Sequence, residues 1–175
     1  MTYKDLKKLL DGIESNSATE RDFDALSYKD KCSSKQIDFL LRNSNDFRLV
    51  LSCLCNENCP VEWLRFYSDT PKNIKRFKLA FLCNAMCPSG ILGKIDFGRT
   101  EWATKSLLAR HQNCPPEILA KLVEDINLKE ICIEAVNHPN IAEVDLMIAT
   151  FNQNKEVREQ AVARMLERTT SEDAK

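Results

Sequence analysis

Glycine is scarce in this chain, 4 among 175 residues, and proline hardly commoner at 6. A turn-rich all-β sandwich needs both at its corners, so that class is disfavoured. Histidine occurs only as His111 and His138, which leaves a Cys–His nucleophile poorly supplied. Gly90, Gly93 and Gly98 are scattered, without the G-x-x-x-x-G-K spacing of a phosphate loop, and no H-E-x-x-H zinc motif occurs. No apolar run approaches the ~20 residues of a membrane span. Met1-Thr2-Tyr3-Lys4-Asp5-Leu6 puts charges where a signal peptide carries its apolar segment. Excess charge of one sign is missing too: 25 Lys and Arg against 26 Asp and Glu give −1, which excludes a histone-like polybasic protein.

What remains is an ordinary soluble balance of 43% hydrophobic and 29% charged residues. The length suits one medium domain with a core. A cytoplasmic protein is expected, its 8 cysteines reduced. The charge is uneven. Residues 1–30 hold 5 basic and 7 acidic side chains, residues 31–111 hold 13 and 7, and residues 112–175 hold 7 and 12. A basic middle and an acidic end can each steer a charged partner.

The strongest signal is a repeat. Cys59-Pro60-Val61-Glu62-Trp63-Leu64 returns as Cys87-Pro88-Ser89-Gly90-Ile91-Leu92 and as Cys114-Pro115-Pro116-Glu117-Ile118-Leu119. Cys32-Ser33 precedes these as a degenerate copy, and Asn137-His138-Pro139-Asn140 reads as the last. The Ser/Pro positions are then 27, 28, 27 and 24 residues apart. Seven residues earlier stand Leu26, Cys53, Phe81, Leu108 and Cys132; seven later stand Leu40, Tyr67, Ile95, Leu122 and Leu146. Four later come Ile37, Leu64, Leu92 and Leu119; Glu143 breaks the column, with the apolar Val144 next to it. Proline is tolerated in a first helical turn, so Pro60, Pro88, Pro115 and Pro139 are expected to open the first helix of each copy. Leu49/Cys53, Phe77/Phe81, Leu128/Cys132 and Val157/Ala161, each four apart, mark one face of the second.

The predicted fold is an all-α right-handed α-solenoid of about five two-helix repeats of 24–29 residues. Helices this short are marginal alone and must be held by neighbours. An amphipathic N-terminal cap helix through Leu6, Leu9, Leu10 and Ile13 occupies residues 1–19, repeats fill 20–166, and 167–175 is a polar tail. One domain, 1–175, is expected, with Glu167-Arg168-Thr169-Thr170-Ser171 as a polar stop.

At these residues the sequence resembles the variant leucine-rich repeat family of HEAT-like helical solenoids. The shared pattern is a helix ending in Asn-x-Pro or Cys-Pro, then x-x-(Ile/Leu)-Leu, then a helix like Glu156-Val157-Arg158-Glu159-Gln160-Ala161-Val162-Ala163. The resemblance covers roughly residues 20–166 and implies a binding scaffold more than a chemistry. A described member carries an iron–sulfur cluster in a cysteine-rich N-terminal segment; residues 1–31 here contain no cysteine, so that feature does not transfer.

Cys55-x-x-x-Cys59 and Cys83-x-x-x-Cys87 suggest a four-thiolate zinc or iron–sulfur site. Against it, Cys32, Cys59, Cys87, Cys114 and His138 share one repeat column, ~10 Å apart if set by helix packing distance. Buried structural thiols are the expected reading, with no cofactor and no metal. The adjacent Glu124-Asp125 reads as a solvated helix end, and no enzyme is expected. Lys72, Lys75, Arg76, Lys78, Arg99, Lys105 and Arg110 form a possible nucleic-acid stripe. The acidic residues Glu117, Glu124, Asp125, Glu130, Glu134, Glu143 and Asp145 form a possible protein-binding face. Trp63 and Trp102 are core or interface anchors. The function expected from size, fold and charge is non-enzymatic protein binding. Its most concrete form is a bacterial immunity protein blocking a basic toxin or nuclease domain, as in contact-dependent growth inhibition. The alternatives are a nucleic-acid-binding solenoid, then a metal or iron–sulfur protein.

Overall fold

Helix starts follow the capping residues. In the computed structural model, which describes residues 1–28, 30–98, 101–125 and 127–172, the backbone N–H groups of Thr2, Thr19 and Ser33 donate to Asp5, Asp22 and Gln36, each at 2.8 Å. These capping boxes satisfy donors that a helix start leaves over. They open α1 (Tyr3–Glu14), α2 (Glu20–Ser27) and α3 (Ser34–Asn43). Asp46 accepts from the N–H of Arg48 and of Leu49 to start α4 (Phe47–Cys55). α5 (Val61–Tyr67), α6 (Pro71–Cys83) and α7 (Ser89–Leu92) follow. The rest are α8 (Trp102–Arg110), α9 (Pro116–Val123), α10 (Lys129–Val136), α11 (Glu143–Ala149) and α12 (Lys155–Glu172). The described residues are all-α, with no strand among them.

Two compact units divide the chain, Met1–Ile95 and Asp96–Lys175. In the first, α2, α4 and α6 pack in succession; α3 lies against α1 and α4, and α5 and α7 against α6. In the second, α10 lies against both α8 and α12, while α9 and α11 pack on each other and on that row.

The prolines sit one residue earlier than expected. Pro60, Pro88 and Pro115 are N-caps, as is Ser33, with φ between −79° and −56° and ψ between 135° and 161°. Proline fixes that φ, but other residues reach it. Ala142 does so, with φ −74° and ψ 152°, and it is the N-cap of α11. Pro139 lies in the preceding turn and opens no helix. Counted on N-caps, the spacing is 27, 28, 27 and 27 residues.

This shift of three residues repairs the broken columns. Four residues after the caps stand Ile37, Leu64, Leu92, Leu119 and Leu146, all fully buried. Seven before them stand Leu26, Cys53, Phe81, Leu108 and Ala135, also fully buried. The second-helix pair in α10 is Ile131/Ala135, and Leu128 is a half-buried N-cap. His138 leaves the cysteine column, whose last member is the buried Ile141.

His138 belongs instead with Asn56, Asn84 and His111, each four residues before an N-cap and each buried. The Asn56 amide donates to the carbonyls of Leu26 (2.7 Å) and Tyr28 (2.8 Å), and its oxygen accepts the N–H of Asn58 (2.8 Å). Asn84 repeats this on Leu54, Asn56 and Met86. In the second unit His138 pairs through Nε2 with the carbonyl of His111 at 3.0 Å, and through Nδ1 with the N–H of Asn140. These side chains answer the carbonyls that α-helix ends expose.

α12 continues to Glu172, past the polar run read as its stop. Within that run Arg168 donates to the carbonyls of Ile141 (3.0 Å) and Pro139 (3.4 Å), tying the last helix to the turn before α11.

Candidate functional site

The acidic set divides into internal and free groups. Asp125, just after α9, forms an ion pair with Lys105 of α8, whose side chain is 5% exposed. The Lys105 hydrogen bond holds the Asp125 carboxyl below its ordinary range, against the opposing effect of burial. Glu134 of α10 is bonded through Oε1 to the Arg110 guanidinium. Glu130 is exposed and 4.0 Å from Lys129, which pairs more closely with Glu156 at 3.0 Å. Glu117, Glu124 and Glu143 are exposed and Asp145 half-buried, on or beside the neighbouring helices α9 and α11. Burial, and then the Glu124 charge, push the Asp145 carboxyl above its ordinary value. Two acids thus crowd one face.

Beside them α11 shows a second apolar stripe. Leu146 and Ala149 face the core, while Val144 (59%), Met147 (52%), Ile148 and Phe151 (87%) are exposed. Two residues after the N-cap, earlier copies carry Lys35, Glu62, Gly90 and Glu117, all exposed; α11 carries Val144. Five residues after it they carry Asp38, Arg65, Gly93 and Ala120; α11 carries Met147. On α12, Val162 and Leu166 are exposed as well and line, with Thr150, Arg158, Glu159 and Ala163, a shallow hollow of about 470 Å³. An apolar centre beside charged groups is the anatomy of a protein interface. Sequence reasoning missed Met147, Ile148 and Phe151, and set Val144 next to the core column, where it is in fact exposed. The signal was their helical spacing, hidden because Pro139 set the register.

The basic set divides between the two units. Lys72, Lys75 and Arg76 are exposed on α6, and Lys78 is half-buried there. The Arg76 guanidinium lies 4.6 Å from the Phe47 ring centre and 5.4 Å from that of Phe77. Arg99 falls outside the described residues. Lys105 and Arg110 have the internal carboxylate partners Asp125 and Glu134. Trp63 is half-buried and donates to Asp38 at 3.0 Å; Trp102 is exposed.

The column cysteines Cys59, Cys87 and Cys114 are buried, and each thiol points at the carbonyl of the proline that follows it, at 3.7–4.0 Å. Burial pushes each of these thiols up to about 12. Cys132 donates to the carbonyls of Asp125 (3.0 Å) and Leu122 (3.3 Å). Among the described residues, no three His, Cys, Asp or Glu side chains come together as a metal would need. Nor is any described helix long and apolar enough to cross a membrane.

Comparison with protein-family models, with curated proteins and with solved structures finds no match to this chain.

Proposed function

We propose that the chain is a short right-handed α-solenoid of the variant leucine-rich repeat style, with about five two-helix copies, acting as a non-enzymatic scaffold that binds a basic protein. Recurring N-caps, fully buried columns and the Asn/His bonds between successive copies support the architecture. One observation carries the function: two residues after the N-cap, where earlier copies expose Lys35, Glu62, Gly90 and Glu117, α11 exposes Val144, and with it Met147 and Ile148, beside Glu124, Glu143 and Asp145.

Such a surface suits a partner with apolar anchors ringed by Lys and Arg. Val144, Met147 and Phe151 would lose water on contact, and the crowded carboxylates would gain counter-charges. The most specific form of this reading is an immunity protein in the bacterial cytoplasm. It would cover the phosphate-binding face of a cognate nuclease toxin, as in contact-dependent growth inhibition. A standard interface of ~1,600 Å² is enough to shut such a face to substrate.

The test is mild-salt co-purification from the native cell, with mass spectrometry and nucleic-acid staining, using wild type, Val144→Asp/Met147→Asp and Glu124→Lys/Glu143→Lys. A stoichiometric basic protein retained by wild type and lost from both variants is the expected result. Nucleic acid in its place, released by Lys72→Ala/Lys75→Ala/Arg76→Ala, would transfer the function to α6.

A further inference from the structure

Six of the eight cysteines are buried; Cys83 is exposed and Cys55 half-buried. These two end α6 and α4, neighbouring helices of the first unit. Each directly precedes a buried ladder asparagine. The Asn84 amide donates at 2.8 Å to the carbonyls of both Leu54 and Asn56, the residues on either side of Cys55. That clasp fixes the residue after Cys83 against the backbone flanking Cys55. The clasp sets the two thiols beside each other at the ends of their helices, close enough to interact. Tyr28, Arg110 and Asn137 hold the same position in the other copies, so thiols face each other in this one pair.

We infer that Cys55 and Cys83 are a thiol-modification site that a low-molecular-weight disulfide converts to an intramolecular bridge, with Cys83 attacking first and Cys55 resolving. The Cys83 thiolate attacks one sulfur of the external disulfide. That S–S bond breaks, one half leaves as a thiolate, and a mixed disulfide forms on Cys83. Cys55 then gives up its proton and attacks the Cys83 sulfur, releasing the second half as a thiolate. Two protein thiols are oxidised by two electrons in all. The external disulfide is reduced to two thiols, which take up the two protons.

The order of attack follows from the environment. Cys83 is open to solvent, and its pairing with Cys55 lowers its thiol below the ordinary value, so it is the readier thiolate of the two. Cys55 is pushed well above the ordinary thiol by the same pairing and by burial, so it reacts second and only with the sulfur beside it. The bridge would join residues 28 positions apart in sequence and staple two successive copies at their ladder bonds.

The experiment is treatment of the full chain with oxidised glutathione at neutral pH, followed by intact mass and peptide mapping. Wild type should lose two hydrogen masses with no retained glutathione, and the bridge should map to Cys55–Cys83. Cys55→Ser should stop at one stable glutathione adduct on Cys83, and Cys83→Ser should give neither product. Iodoacetamide on untreated wild type, which needs no variant to fold, should label Cys83 before any other cysteine, with a rate midpoint below that of an ordinary thiol. A persistent adduct on wild type, a bridge elsewhere, or first labelling at another cysteine would overturn the inference.

Discussion

Asn56→Ala tests whether buried amides hold successive copies together. Asn56 is fully buried and makes three hydrogen bonds, to Leu26, Tyr28 and Asn58, all between 2.7 and 2.8 Å. At about 1 kcal/mol net for each bond, truncation should cost about 3 kcal/mol. That is a large part of the ~5–15 kcal/mol that holds a domain together. For a chain of this length it equals a fall in melting temperature of ~6–12 °C. Asn56→His supplies the discriminating control, because His138 fills the same position with one bond through each ring nitrogen. It keeps one donor and one acceptor and should lose only about 1 kcal/mol. Asn56→Asp has no donor and turns a carboxylate toward two carbonyls, so it should be the worst of the three. Urea unfolding followed by far-ultraviolet circular dichroism gives the ranking, and hydrogen exchange at the Asn58 amide localises it. An alanine variant within about 1 kcal/mol of wild type, or a histidine variant no better than alanine, would refute the ladder's role.

Three further outcomes follow from the second unit. His138 accepts the Asn140 N–H at Nδ1 and meets the His111 carbonyl at Nε2, a pattern that only the neutral Nε2–H ring satisfies. Burial lowers its pKa below the ordinary 6.5, so its contribution to stability is complete above the unfolded value. That contribution should be lost as pH falls from about 6.5 through the folded value, and His138→Asn should flatten the slope in urea midpoints between pH 7.5 and 5. Asp145 has the opposite sign: its folded pKa is raised, so protonation favours the folded state. Asp145→Asn should stabilise the protein at neutral pH by up to ~1 kcal/mol in thermal melts, while weakening capture of a basic partner. Lys105→Ala, by stranding the Asp125 carboxylate, should cost ~3 kcal/mol in urea unfolding, and adding Asp125→Asn should recover much of it.

The all-α character was legible because it depends on patterns along the chain. Apolar residues three, four and seven positions after a shared mark can only be helix faces, and Leu64, Leu92 and Leu119 bury as that spacing required. In the last copy Pro139 stands three residues before the true cap, because proline is conspicuous in a sequence while the backbone angles it favours are not. Ala142 adopts those angles without any sign in its identity.

The sequence by itself determined that the chain is helical and, in the copies marked by Ser33, Pro60, Pro88 and Pro115, which residues form the core columns, since these follow from local propensity and from the 3.6-residue period. Tertiary structure decided which charges are available. Asp125 and Lys105 lie 20 residues apart, and Glu134 and Arg110 24 apart; only packing of α10 and α9 against α8 brings their opposite charges together. It also decided that Val144 and Met147 face outward while Leu146 between them faces the core. Composition is blind to that difference, because the same apolar residue serves a core or an interface according to what lies across from it.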